Sequence, residues 1–285
     1  MKKITMFLVL ACIMCAVAFA QQSYYVSANG SNDNDGLSET RPMRTLAETF
    51  LKAREGSIKK ITIIGTLDEE SDFMSFLFIK RFCSVFFLSS NPTYEITITG
   101  KPGVTGSERA VLSARRSGAG VVYIDSGKVR FEHIEISGGE GEDGSGIYIN
   151  GGATVTLGQG TVVRGNAFGA VCIEDGTCVI DGGEVRDNQH NGVMVYGGSL
   201  TMRSGSIKDN IAPDSTGGVI IYDGGRFTMS GGTINGNRGY IGGGVFVMSG
   251  GRFDQTGGTI NGNIASRGSN PNIFREQGAL GSNLR

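Results

Sequence analysis

The chain holds 285 residues, of which 47 are glycine, five are proline and none is tryptophan, and its formal net charge is −1. So balanced a charge excludes a global field that draws nucleic acid or an anionic membrane to the surface, and glycine at about twice its usual share of roughly 7% calls for a fold with many tight turns. Of five cysteines, Cys12 and Cys15 fall in an N-terminal leader, and the remaining Cys83, Cys172 and Cys178 form an odd set that excludes a disulfide-stapled fold.

Lys2 and Lys3 precede an apolar run from Ile4 to Phe19, and Ala18-Phe19-Ala20 supplies a small-residue cleavage pattern before Gln21. Residues 1–20 therefore read as a secretory signal peptide, which predicts a secreted, periplasmic or outer-surface protein. The run is short of the roughly 20 residues a bilayer span requires, and no stop-transfer pattern follows it. Val9-Leu10-Ala11-Cys12 loosely resembles a lipobox, so lipidation at Cys12 is the minor alternative.

Residues 21–60 are expected to form a strand at Tyr24 to Ser27, a polar loop from Asn29 to Ser38, and a helix begun by the capping box Thr45-Leu46-Ala47-Glu48. Leu46, Phe50 and Ala53 share one face of that helix and Gly56 ends it, so the helix can plug one end of whatever follows. Asp33, Asp35 and Gly36 partly fit a calcium loop, but Pro42 stands where the bidentate glutamate belongs, so the segment is read as turn chemistry and no metal is expected. Residues 61–120 hold strand-like runs at Ile61 to Ile64, Ile96 to Ile98 and Ala110 to Leu112. Between them Phe73 to Leu88 is almost wholly apolar around Lys80 and Arg81. Those two charges argue against a membrane helix; two strands, Phe73 to Ile79 and Cys83 to Leu88, are expected, with a lateral bulge or partner contact as the other reading.

Residues 121–285 repeat. An apolar-x-apolar element recurs at Val122, Ile147, Val171, Val193, Val219, Val245 and Ile273, at steps of 25, 24, 22, 26, 26 and 28 residues. A second alternating element follows at Val129/Phe131, Val155/Leu157, Cys178/Ile180, Leu200/Met202, Phe227/Met229 and Phe253/Gln255. A third ends each time in asparagine: Asn166, Asn188, Asn210, Asn237 and Asn263. Period-two alternation marks strands with one buried face, and three such strands per repeat leave no room for a helix. The expected fold is all-β: a right-handed parallel β-helix solenoid with three short strands per coil and an N-terminal capping helix. Equivalent residues should stack about 4.8 Å apart into apolar ladders. The asparagines are placed at a corner, where asparagine tolerates a left-handed backbone and its amide can bond the adjacent coil.

These repeats resemble those of bacterial right-handed β-helix surface proteins. Gly242-Gly243-Gly244-Val245 and Ile260-Asn261-Gly262-Asn263 are similar to the short repeat motifs of polymorphic outer-membrane proteins. The stretch Tyr25 to Asp33, with Asp35-Gly36 and Pro42, resembles the opening of secreted pectate-lyase-like proteins. The first resemblance implies a surface protein, although no translocating barrel is expected before Arg285; the second implies polysaccharide cleavage. Yet the Asn-x-Asp, Asp-Asp, Gly-His-Gly and Arg-x-Lys motifs of pectinolytic hydrolases, which set opposed carboxylates about a water, are missing. The local candidate for a lyase is the coil carrying Glu174, Asp175, Asp181, Glu184, Arg186, Asp187 and His190, whose members point in several directions and are better read as scattered surface charge. No catalytic residue and no cofactor is assigned.

Strand alternation also predicts what faces outward. On the first strand of each coil one outward column reads Tyr123, Tyr148, Cys172, Met194, Ile220, Phe246 and Phe274, and the next reads Asp125, Asn150, Glu174, Tyr196, Tyr222 and Met248. Tyr148, Met194, Tyr196, Ile220, Tyr222, Phe246 and Met248 are therefore the candidate binding residues, an apolar and aromatic patch on a polar protein. A covering loop, the Phe73 to Leu88 segment or the C-terminal tail is the equally weighted alternative. The function expected is that of an exported non-catalytic, adhesin-like protein that binds a host or environmental glycan or protein, with self-association as a further option and no nucleic acid partner. The alternative is a polysaccharide lyase or hydrolase.

Overall fold

The computed structural model describes residues 22–52, 58–68, 95–104, 108–114, 120–141, 144–267 and 270–282, and the backbone alone of 84–89. The leader expected at 1–20, the strand expected at Phe73 to Ile79, and the helix positions Ala53 and Gly56 lie outside these residues.

The repeat folds as read. Val122 stands in register with Ile147, Ile147 with Val171, Val171 with Val193, Val193 with Val219, Val219 with Val245 and Val245 with Ile273, every pair parallel. This first sheet has eight strands, Ser84–Ser89, Gly120–Ser126, Ser145–Ile149, Gly169–Ile173, Asn191–Val195, Val219–Ile221, Val245–Val247 and Ile273–Arg275. Each turn of the chain adds one strand to it, so backbone hydrogen bonds run between coils rather than within them. From Val122 to Val245 the column is wholly buried. On the neighbouring face Val129, Val155, Cys178, Leu200, Phe227 and Phe253 form a second buried column. Its two phenylalanines stack with centroids 4.8 Å apart.

In one respect the coils differ from three short strands. In the later coils the second and third strands fuse into bent strands of 10 or 11 residues, Gly176–Arg186, Ser199–Lys208, Arg226–Asn235 and Arg252–Asn261. The bend falls on Gly182, Gly205, Gly232 and Gly258, all with positive φ, which lets the chain turn the corner without leaving the ladder. A small third sheet, Ile211–Ala212, Arg238–Gly239 and Ile264–Ala265, follows the asparagine corner and was not foreseen.

The corner itself is a buried amide ladder. Each asparagine donates from Nδ2 to Oδ1 of the next: Asn166 to Asn188 at 3.0 Å, Asn188 to Asn210 at 2.8 Å, Asn210 to Asn237 at 2.8 Å and Asn237 to Asn263 at 2.9 Å. The same Oδ1 also accepts the backbone N–H of the previous asparagine. Asn272, which the repeat pattern did not reveal, receives the last of these bonds from Asn263 at 3.0 Å. The left-handed backbone sits one residue earlier than expected, at Gly165, Asp187, Asp209, Gly236 and Gly262, leaving the asparagines free to point inward.

At the N-terminal end, strand Gln22–Ser27 pairs in parallel with Ile58–Ile64, and the helix Leu46–Lys52 packs Leu46 and Phe50 against the same core. Half of the expected capping box is made: Thr45 Oγ1 accepts the Glu48 N–H at 3.2 Å, but Glu48 turns to Lys52, and the Thr45 N–H goes to Asn32 Oδ1. The Asp/Asn loop is held as turn chemistry, with Asp35 Oδ1 accepting the Leu37 N–H. At the other end residues 270–282 fold back on the last coil, where Arg275 donates to the Phe253 carbonyl at 2.9 Å and lies over its ring. Among the described residues no helix is long and apolar enough to cross a membrane.

Candidate binding face

The outward side of the first sheet is not uniformly bare. Cys172, Met194, Ile220 and Phe246 keep only 2%, 1%, 5% and 5% of their surface exposed. They form a second apolar cluster outside the solenoid core, packed against Phe168, Ile241, Tyr148, Tyr196, Tyr222, Met248 and Phe274. This corrects the expectation that Met194, Ile220 and Phe246 are displayed to solvent. Side chains one coil apart close against each other, and the turns that enter the strands bring Phe168 and Ile241 against them. Strand alternation reports which side of a sheet a residue faces, not whether that side is covered.

What remains accessible is the outer column. Main-chain bonds place Asn150, Glu174, Tyr196, Tyr222, Met248 and Glu276 in one row, each donating its N–H to the strand of the preceding coil, and Asp125, next to Ile124 in register with Ile149, stands at the head of that row. Tyr196, Tyr222 and Met248 are half-buried there on the bed of Met194, Ile220 and Phe246, and Tyr148 stays half-buried in the inner column. Tyr196 and Tyr222 stack with centroids 4.5 Å apart and planes 9° from parallel; Tyr123 and Tyr148 do so at 5.3 Å and 6°. Stacking thus occupies one face of each ring, and the ridge offers ring edges and hydroxyls to a partner. The Tyr148 hydroxyl donates to Glu174 at 3.2 Å, and Tyr123 accepts from the Asn150 amide. Burial pushes the Tyr148, Tyr196 and Tyr222 phenols and the Cys172 thiol up, chiefly by desolvation and further by the nearby Glu174 charge for Tyr148, Tyr196 and Cys172. They are neutral donors and apolar surface rather than nucleophiles.

The acidic coil does not assemble. Glu184 pairs with Arg186 at 3.1 Å and Lys208 at 3.3 Å, Asp187 pairs with Arg186, Asp181 accepts from Ser204 and lies 3.9 Å from Arg130, and Glu174 belongs to the tyrosine row. His190 stacks on Phe168 and reaches Asp214 at 3.1 Å on a different corner. Arg164 pairs with Glu135 at 2.9 Å, so Arg164, Arg186 and Lys208, which stand in one column, are each paired with a neighbouring glutamate. Among the described residues no group of three or more His, Cys, Asp or Glu is placed to hold a metal ion.

A parallel solenoid with stacked apolar columns and a buried amide ladder defines a β-helix repeat protein. The chain belongs to the right-handed β-helix family, whose profile matches residues 96–265. Among solved structures it is similar to the crystal structure of a pectate lyase, at 14% identity and a TM-score of 0.50, over 90% of this chain and 79% of that one. A likeness at that identity is one of fold. No curated protein matches the sequence.

Proposed function

We propose that this chain is an exported, non-catalytic, adhesin-like protein that meets a glycan or protein partner with the outward face of its first sheet. The observation that carries the reading is the ridge of Tyr196, Tyr222 and Met248, half-exposed and held rigidly on a buried apolar bed. Side chains already ordered by packing lose little further freedom on binding, and tyrosine edges combine apolar area with a hydroxyl, the composition typical of interface centres. Export rests on the leader-like run Ile4 to Phe19 behind Lys2 and Lys3.

The secreted chain, applied to arrays of glycans and extracellular-matrix proteins, should bind a defined subset. Tyr196→Ser/Tyr222→Ser should lose at least about tenfold in affinity while keeping the β-rich circular dichroism of the parent. Unchanged binding by the double variant rules out this face. The polysaccharide-cleaving alternative has the likeness to a pectate lyase fold behind it. Release of unsaturated uronates or new reducing ends from acidic polysaccharides, lost on Glu184→Gln or Asp181→Asn, would replace the binding reading with that one.

A further inference from the structure

The rim of the tyrosine ridge carries a second chemistry. In the outer row Asp125 and Glu174 stand two coils apart, with Asn150 between them; Asp175 adjoins Glu174, Asp223 adjoins Tyr222, and Glu276 follows Met248 at the C-terminal end. On the neighbouring sheet four carboxylates are neutralised by ion pairs: Glu132 by Arg130, Glu135 by Arg164, Glu184 by Arg186 and Lys208, Asp254 by Arg252. Among the described residues no lysine or arginine forms an ion pair with Asp125, Glu174, Asp175, Asp223 or Glu276. Glu174 accepts from the Tyr148 hydroxyl and Glu276 from the Ser249 N–H, bonds that leave their charge in place, so on a chain whose formal charge is −1 these five carboxylates along one edge of one face are a local concentration of negative charge. Lys128, Arg226 and Arg252 begin the next sheet rather than this one.

We propose that the face takes a basic protein segment, laid along the solenoid axis, whose apolar stems rest on Tyr196, Tyr222 and Met248 and whose lysine or arginine heads pair with Glu174, Asp175, Asp223 and Glu276. The inference rests on the reading of this face as the binding surface. Charge complementarity selects the partner: like charge along the rim repels an acidic polysaccharide or an acidic peptide, whereas long basic side chains combine an apolar stem with a cationic head and match a ridge flanked by carboxylates. The spacing agrees. Two coils separate Glu174 from Tyr222, beside Asp223, and again Tyr222 from Glu276, about 10 Å in each case, and an extended chain advances that distance in about three residues.

The test uses the full chain with fluorescein-labelled deca-lysine as probe and deca-glutamate as control, read by fluorescence anisotropy at about 50 and about 500 mM salt. Saturable binding of deca-lysine is expected, weakened about tenfold or more by the added salt and by Glu174→Gln/Asp223→Asn/Glu276→Gln, with circular dichroism unchanged. Failure of the parent to bind deca-lysine saturably, or equal affinity in the charge variant, overturns the inference. The two readings separate on the array partner. A partner lost with Tyr196→Ser/Tyr222→Ser but retained by the charge variant overturns the basic-segment inference and leaves the face standing. A partner retained by both variants overturns the face itself.

Discussion

The Nδ2 of Asn188 lies 2.8 Å from the Oδ1 of Asn210, and that same oxygen accepts the Asn188 backbone N–H at 3.2 Å, so one buried side chain fastens both donors of its neighbour in the adjacent coil. The Asn210 amide in turn donates to the Val185 carbonyl and to Asn237 Oδ1.

Asn210→Ala therefore leaves the Asn188 N–H without an acceptor and the Val185 carbonyl without the Asn210 donor in a site that excludes water, while the Asn188 amide keeps the Val163 and Arg186 carbonyls. Each buried unsatisfied group costs about 1–3 kcal/mol, so a loss of about 2–4 kcal/mol is expected in chemical denaturation. A loss below about 1 kcal/mol would show that the ladder is decorative.

The residue before each asparagine is left-handed, and glycine occupies that position in three of the five coils while Asp187 and Asp209 occupy it in two, with φ of 54° and 56°. A side chain there carries backbone strain, which aspartate tolerates better than most residues. Asp209→Gly should leave stability unchanged or raise it by up to about 1 kcal/mol, and Gly165→Ala, whose added methyl meets nothing within 4 Å, should lower it by about 1 kcal/mol through the backbone alone. The two thermal midpoints, measured side by side, check the sign.

Met194 faces outward yet is as buried as a core residue. Met194→Ala should cost about 2–4 kcal/mol, in the range of a core truncation, whereas Tyr222→Ser on the ridge should cost less and leave the unfolding transition cooperative. Urea titration of the two variants distinguishes a second packed cluster from a bare patch.

Alkali should unfold the protein before acid does so through these groups. Cys178 is fully buried and its thiol is raised from 9.0 to about 12 by desolvation. The raised folded value means that the stabilising contribution is complete below pH 9, where both states are protonated, and is lost as pH climbs from 9 toward 12 and the unfolded thiol ionises first. The raised tyrosines extend the effect above pH 10. Cys178→Ala should flatten the fall in stability between pH 9 and 12, followed by denaturant midpoint against pH, at the cost of a small cavity.

The columns Val122 to Val245 and Val129 to Phe253 were legible because burial of one strand face writes period two into the sequence, and the coil length writes the longer period over it. Fusion of the second and third strands was not, since a glycine pair such as Gly182-Gly183 reads equally as a turn or as a bend within a strand. Asn272 escaped because it reaches the ladder only nine residues after Asn263, by a shorter path than a coil. On the face, the sequence identified the residues that point away from the axis but not the closing of Phe168 and Ile241 against Met194 and Phe246, which depends on turns without periodicity. The carboxylate rim was visible as isolated letters, and its meaning came only from finding which acids on the other faces are neutralised.

The amide ladder makes length a free variable of this architecture. Because each coil from Asn188 to Asn237 offers the same hook above and the same eye below, a stretch such as the 26 residues from Val193 to the residue before Val219 can be duplicated or excised with both flanking joints remade from identical parts. Lineages carrying this design can thus lengthen or shorten the reach of the molecule in steps of about 5 Å without inventing a new junction.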